Sequence, residues 1–249
     1  MKITRAFISI SCATLLIFCQ ASASDEIVKF KNGSSLEFYS PVRKNPKTND
    51  FESGWATATL STSSGNKIVL FKNESLSQVG GVVYQNVNNM RISPSGKYAV
   101  LDVLRVGRLQ VAPDQESTID SRQYCPALET NTGCIVSMNT GGLCGGAWNA
   151  SKDVWSSGAD SDENDNEIML RNKDFPVSAN QMWSDFNKVR ALKLTLKEAV
   201  FANLGAVNTL ACDPPSKNNQ SAYQAIAKQL RVEGDIGSAK SIEDALKRR

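Results

Sequence analysis

The hydrophobic pattern of this chain changes period at Phe175-Pro176, and that change limits the folds open to it. Before this point, short alternating apolar runs are separated by Gly, Asn and Ser turns, which is typical of antiparallel strands. After it, apolar residues recur at the spacing of amphipathic helices. Strands followed by helices indicate an α+β fold. We expect a β-rich domain over residues 24–175 and a C-terminal helical region over residues 176–249 packed on it.

The β-rich part carries two hairpin signals. Asn32-Gly33 lies between two alternating runs, and Ser64-Gly65-Asn66 separates the run Trp55 to Leu60 from the run Lys67 to Phe71. An Asn-Gly pair in this position is the strongest short signal for a tight hairpin turn. The later stretches GGVVYQNV and KYAVLDVLRVGRLQVA add at least two further strands, rich in residues that favour a pleated surface. The sequence therefore predicts an antiparallel β meander.

The stretch ISPSGKYAVLDV, residues 92–103, has a faint second copy further along the chain. Trp148 stands where Ile92 stood, and residues 149–152 replace the turn of residues 93–96. The segment from Asn86 to Gly158 resembles two blades of periplasmic propeller proteins, whose strands flank SPDGK-like turns. A closed ring needs at least four blades, and the helical sequence begins too early to leave room for them. We expect two blade-like units and no complete propeller.

The helical part divides into three predicted helices. Ser178 to Gln181 fits a capping box, which would begin a long helix that stops at Gly205. The second helix is predicted over residues 221–233, with Gly234 just past its end, and the third over residues 241–246.

The first 23 residues have the layout of a secretory signal peptide. Lys2 and Arg5 precede an apolar run from Ala6 to Phe18, and Ala21-Ser22-Ala23 offers a cleavage site. That run is too short to cross a bilayer comfortably, and no later stretch approaches the roughly 20 apolar residues that a transmembrane helix needs. We expect an exported protein without a transmembrane segment, periplasmic in a bacterium and secreted in a eukaryote.

Four cysteines lie outside the predicted leader: Cys125, Cys134, Cys144 and Cys212. An even number of cysteines in an exported chain indicates disulfides, here two, with three connectivities open. Zinc sites favour pairs separated by two to four residues, whereas these cysteines are separated by eight, nine and 67 residues. We expect disulfides and no metal. A bond from Cys212 to any of the other three would tie the helical region to the strands.

Composition removes several classes of function. The chain contains no His, which excludes Ser-His-Asp and Cys-His catalysis and every His-ligated metal site. Two of its 28 basic residues lie in the predicted leader, so the remainder nearly balances the 25 acidic residues. Nucleic-acid binding needs a concentrated basic surface. We predict no cofactor and no nucleic-acid partner; carboxylate, Ser-Lys and Tyr chemistry stay open.

The segment GADSDENDNEIML is the most concentrated polar feature of the chain. It supplies the candidate partner-binding residues, together with the Trp that precedes it: Trp155, Asp160, Asp162, Glu163, Asp165 and Glu167. An exposed acidic loop would select a basic partner and speed its association. A solvated acidic connection between sheet and helices is equally compatible with the pattern. For Trp155, core packing and an interface role are both open.

The same segment resembles a calcium loop in part. Asp160, Asp162 and Asn164 match the first, third and fifth positions of an EF-hand, but the sixth and twelfth hold Asp165 and Arg171 in place of Gly and Glu. The ligand that closes the cage is therefore missing. A looser surface calcium site remains an alternative.

The layout of the whole chain suggests a function. An export signal, a disulfide-bonded β domain, a helical cap and no catalytic motif resemble the periplasmic immunity proteins that protect bacteria against type VI secretion toxins. The resemblance implies that the chain binds a toxin and occludes its active site, with the acidic segment as a plug. Two alternatives stay open: an envelope scaffolding protein, and a hydrolase using two carboxylates among Asp102, Asp120, Glu129 and the acidic segment.

Overall fold

The computed structural model describes residues 26–44, 51–110, 112, 115–158, 163–170, 174–189 and 194–248. The expected signal peptide lies outside these ranges. The strands are β1 (Glu26–Lys29), β2 (Ser35–Val42), β3 (Gly54–Ser61), β4 (Lys67–Val69), β5 (Gly80–Gln85), β6 (Arg91–Ile92), β7 (Tyr98–Val100), β8 (Asp102–Leu109), β9 (Thr118–Glu129), β10 (Ile135–Asn139), β11 (Ala147–Trp148) and β12 (Trp155–Ser156). The helices are α1 (Glu163–Leu170), α2 (Ala179–Val189), α3 (Leu196–Ala202), α4 (Gly205–Cys212), α5 (Gln220–Val232) and α6 (Ile236–Lys247).

Ten of these strands form one curled antiparallel sheet that resembles half a barrel. Its order is β1-β2-β3-β5-β8-β9-β7-β6, with β4 also paired to β3 and β10 also paired to β9. The strands β11 and β12 form a separate hairpin, and the six helices α1 to α6 follow them in the chain. This confirms the predicted α+β class. Within the described ranges, no helix has the length and apolar character that crossing a bilayer requires.

Both predicted hairpin turns are present. Gly33 lies between β1 and β2 with φ 84°, and Gly65 lies between β3 and β4 with φ 85°. These left-handed conformations suit Gly, since a Cβ would make them strained. The first turn fixes the register of β1 against β2, with Val28 opposite Leu36, and the second fixes that of β3 against β4, with Leu60 opposite Ile68. In the β2–β3 pairing Leu36 lies opposite Leu60, and both are buried.

The faint repeat corresponds to two similar hairpins. The first, β6–β7, is closed by the Ser93 N–H donating to the Tyr98 carbonyl at 2.8 Å. The second, β11–β12, is closed by the Asn149 N–H donating to the Val154 carbonyl, also at 2.8 Å. The first blade-like unit is therefore a hairpin within the half-barrel sheet, and the second is a separate hairpin beside it.

The predicted long helix is wrong in extent, because the chain breaks it in two places. The helix α2 ends at Val189 and α3 begins only at Leu196. The helix α3 stops near the expected position, where Leu204 and Gly205 both have positive φ. Gly205 then opens another helix, α4, which the sequence pattern did not predict. The Ser178 hydroxyl accepts from the Gln181 N–H, but the Gln181 side chain donates to Asp185 and so leaves the predicted capping box half made.

The later helices match the sequence more closely. The helix α5 covers nearly the predicted residues 221–233, and Gly234 follows it with φ 80°. The helix α6 begins five residues earlier than predicted, at Ile236, where the Asp235 carboxylate accepts from the Ser238 N–H as an N-cap. An Asp at this position satisfies a backbone donor that the first turn leaves free.

Two hydrophobic cores meet at α4. The main core covers one face of the sheet and includes Leu36, Phe38, Tyr84, Val103 and Leu128. The second lies between the helices and includes Phe186, Leu196, Tyr223, Ile226 and Leu230. At the start of α4, Leu204 packs into the first core and Ala206 into the second. The helical region is therefore held against the sheet by burial on both sides of the start of α4.

The four cysteines form two disulfides, as predicted. Cys125 in β9 is bonded to Cys144, and Cys134, just before β10, is bonded to Cys212 at the end of α4. The second bond ties the helices to the sheet, which is the arrangement expected for a pairing of Cys212. Disulfides of this kind indicate an oxidising compartment outside the cytoplasm.

Candidate functional site

The acidic segment is helical where the structure describes it. The helix α1 spans Glu163–Leu170 and carries Asp165 and Glu167, whereas Asp160 and Asp162 lie outside the described residues. The prediction of an acidic loop is therefore wrong from Glu163 onward. Its Asn and Asp residues disfavour a helix interior, so α1 depends on tertiary contacts.

The side nearest β12 supplies the first of these contacts. The backbone N–H of Ser157 donates to Asp165 Oδ2 at 3.0 Å, and the Ser157 hydroxyl donates to the same oxygen. At the next residue of α1, Asn166 Oδ1 accepts from the Trp155 N–H at 3.0 Å. Asp165 is thus engaged in positioning α1, which gives it a structural role in this region.

The other side of α1 is held by β10. The Ser137 hydroxyl donates to the Met169 carbonyl, and Asn139 Nδ2 lies 3.3 Å from the Met169 sulfur. Met169 is fully buried in a small core with Cys125, Ala127 and Trp155. The helix is therefore fixed to the body of the protein by contacts along two sides.

The exposed side chains of α1 are both acidic and apolar. Glu167 and Ile168 are exposed, Ile168 to 42%, and Val154 nearby is exposed to 39%. We call Val154, Glu167 and Ile168 the acidic face; Asp165 lies beside them, partly exposed. An exposed apolar side chain with charges around it is the usual composition of a protein interface. The sequence singled out the carboxylates but not Val154 or Ile168, because the pattern did not show which side of α1 packs.

Trp155 lies beneath this face and does not form part of it. Its side chain is 1% exposed, and its ring meets the Trp148 ring edge-on at 5.2 Å. The guanidinium of Arg91 lies 5.2 Å from the ring centroid, and the indole N–H donates to the Leu143 carbonyl at 3.0 Å. The burial favours the packing interpretation of Trp155, which supports the acidic face from below.

Arg91 connects Trp155 to the sheet. It donates to Asp102 Oδ1 at 2.5 Å and to the Cys144 carbonyl. Asp102 also accepts from Asn86 Nδ2 at 3.0 Å. One carboxylate considered for hydrolysis is therefore occupied by a structural ion pair.

The other two carboxylates considered for hydrolysis are far apart. Asp120 and Glu129 lie nine residues apart on β9, which corresponds to about 30 Å at the rise of a strand. Glu129 accepts from Thr132 at 2.8 Å and lies 3.4 Å from Lys97 Nζ. Glycoside hydrolysis needs two carboxylates roughly 5 to 9.5 Å apart, so these two do not form such a pair.

The structure shows no metal cluster in the part of the chain that it describes, where no three acidic or Cys side chains converge. The alternative calcium loop depends on Asp160 and Asp162, which lie outside that part. No family model, curated protein or solved structure matches the chain. Its function is therefore inferred from its own surfaces.

Proposed function

We propose that this chain is a periplasmic protein-binding inhibitor, an immunity protein that neutralises a secreted antibacterial toxin by covering the toxin's active site with the acidic face. One observation carries the proposal: α1 presents Glu167 and Ile168 to solvent while it is held in place from two sides. Ser137 donates to its Met169 carbonyl, and the N–H groups of Ser157 and Trp155 donate to its Asp165 and Asn166 side chains. The acidic segment would occlude a basic or substrate-binding cleft on the toxin.

The rigidity of α1 supports tight binding. Ordering a mobile loop on association costs free energy, and a segment that is already fixed avoids much of this cost. The Cys125–Cys144 disulfide strengthens the same region, since Cys125 lies in the core beneath α1. Negative charge at the rim accelerates encounter with a basic partner.

The residues divide into two roles under this proposal. Glu167 and Ile168 contact the toxin, whereas Asp165 and Trp155 hold α1 in place. Asp160, Asp162 and Glu163 are proposed as further toxin contacts from the acidic character of the sequence alone, since Asp160 and Asp162 lie outside the described residues. The absence of His from the whole chain is consistent with action by binding.

A competition experiment between sister strains tests the proposal. A mutant that lacks this gene should be killed on contact with its parent, and it should survive beside a parent whose type VI secretion is inactive. Expression of the chain with its leader should restore survival, and expression without the leader should not. Equal survival of the mutant and the parent would contradict the proposal, and the envelope-scaffold alternative predicts that result.

A further inference from the structure

A groove of about 850 Å³ runs between the sheet and the helices. One wall comes from the β3–β4 hairpin with Asn131 and Thr132, and the other comes from α4, Pro214-Pro215 and α6. Its volume falls within the roughly 300–1,000 Å³ of typical ligand sites. The Cys134–Cys212 disulfide links the two sides of the molecule that form these walls, so the walls are joined covalently.

The charge of the groove is predominantly positive. Lys67, Lys72 and Arg248 line it and are exposed, and none of them forms an ion pair with a carboxylate of the described residues. The acidic residue in the lining, Asp244, lies 3.7 Å from Lys247 Nζ. Glu37 on β2 also attracts Lys67, but its carboxylate is engaged by two hydroxyl groups, those of Tyr39 and Ser61. Two or more cations are therefore available to an anionic ligand.

The walls between these cations are largely apolar. Ile68 from β4 faces the groove, and Val207 and Leu210 face it from α4, all three partly exposed. Asn66 and Asn131 add side-chain amides along one wall. A recess with an apolar lining, amides along one side and cations at its rim fits an extended chain better than a flat membrane surface.

We propose that this groove binds an acidic peptide segment that also carries apolar side chains. Lys67, Lys72 and Arg248 pair with the carboxylates of the segment. Ile68, Val207 and Leu210 contact its apolar side chains. The groove has the opposite charge to the acidic face. Peptide binding by the groove does not depend on the function proposed above.

Fluorescence polarisation with a labelled synthetic peptide tests this site in the purified mature protein. The probe is a short peptide in which Glu alternates with Leu, and the comparison is a peptide in which Lys replaces Glu. We expect binding of the Glu peptide only. The double variant Lys67→Gln/Lys72→Gln should weaken binding about tenfold, because each lysine provides a charge pair at the rim. The matched control Lys152→Gln/Lys228→Gln removes two exposed lysines outside the groove and should bind like the wild type.

Three results would overturn the assignment. They are equal binding of the two peptides, equal weakening by the groove and control variants, and binding to phosphatidylglycerol vesicles without binding to the Glu peptide. Urea unfolding shows whether the double variant keeps the wild-type fold. If it does not, Arg248→Gln serves in its place, because Arg248 is exposed and belongs to neither hydrophobic core.

Discussion

The carboxylate of Asp153 accepts hydrogen bonds from the backbone N–H and the hydroxyl of Ser95, 58 positions earlier in the chain. These residues occupy the turns of the two similar hairpins, β6–β7 and β11–β12. Behind them the rings of Tyr98 and Trp148 stack with their centroids 6.3 Å apart. The two blade-like units thus pack against each other, and the pair positions the strand β12 that supports α1.

This contact makes stability depend on pH. Burial opposes ionisation of Asp153, but the hydrogen bonds from Ser95 and Ser93 and the positive charge of Lys97 together lower the pKa of its carboxyl. A carboxyl whose folded pKa is lowered stabilises the protein above its unfolded pKa of about 3.9 and loses this effect as the pH falls through the folded value. Asp153→Asn should therefore cost about 1 kcal/mol at pH 7, with allowance for exposure.

Urea unfolding from pH 7 to pH 2 measures this difference. The gap in unfolding free energy between the wild type and Asp153→Asn should shrink as the pH falls. Asp120→Asn, at an exposed position on β9, is the control and should change little. A gap that stays constant over the whole pH range would show that the charge of Asp153 has no part in it.

The two disulfides should differ in how much they stabilise the fold. The cysteines of the Cys134–Cys212 bond are 78 positions apart and those of the Cys125–Cys144 bond are 19 apart. Restriction of the unfolded chain gives about 4.5 kcal/mol for the longer loop and about 3 kcal/mol for the shorter one. Paired Cys→Ser variants, compared by urea unfolding under oxidising conditions, should rank in that order. The reverse order would mean that contacts in the folded state outweigh the effect on the unfolded chain.

The free edge of β10 is completed by a side chain. Asn208 in α4 is 5% exposed, and its Oδ1 accepts from the Ile135 N–H at 2.8 Å. Asn208→Ala leaves that donor buried without its partner, so we expect a loss of about 2 kcal/mol and faster hydrogen exchange at Ile135. The exposed Asn218→Ala should change neither. Unchanged hydrogen exchange at Ile135 would show that another group accepts a hydrogen bond from the Ile135 N–H.

A single substitution can weaken the contact between β10 and α1 selectively. Ser137→Ala removes the hydroxyl that donates to the Met169 carbonyl. Hydrogen exchange within Glu163–Leu170 should become faster while exchange in α5 stays unchanged, because local openings need not involve the whole fold. The control Ser157→Ala keeps the backbone donor to Asp165 and should have a smaller effect. Equal exchange in all three proteins would remove the argument that α1 is rigidly held.

The local turn chemistry made much of the sheet predictable. Asn32-Gly33 and Ser64-Gly65-Asn66 specify their hairpins because Gly takes the left-handed conformation that each turn needs. The strand β9 was missed, since its first half is mostly exposed and Pro126 interrupts its second half. Pro is rare within central strands, so its presence weakened the pattern.

The candidate sites were harder to predict, because distant segments assemble them. The helix α1 forms from residues with poor helix propensity, stabilised by Ser137 in β10 and by Ser157 just after β12. The break at Leu204 could not be predicted, because the helical spacing of apolar residues continues across it. The groove cations Lys67, Lys72 and Arg248 come together only when α6 packs beside the β3–β4 hairpin. No local sequence signal connects them.

The central claim is that the acidic face of α1 binds and neutralises a toxin. The most direct measurement is survival of the gene-deleted strain beside its type VI-active parent, when the strain expresses Glu167→Lys/Ile168→Asp. Both positions are exposed, so this variant should fold, and circular dichroism of the purified protein verifies that. Protection should be lost with this variant. It should be kept with the control Glu116→Lys, which reverses a charge at an exposed position. Glu116 lies just before β9, at the end of that strand that is far from α1. Full protection by the α1 variant, or equal loss of protection with the control, would contradict the account.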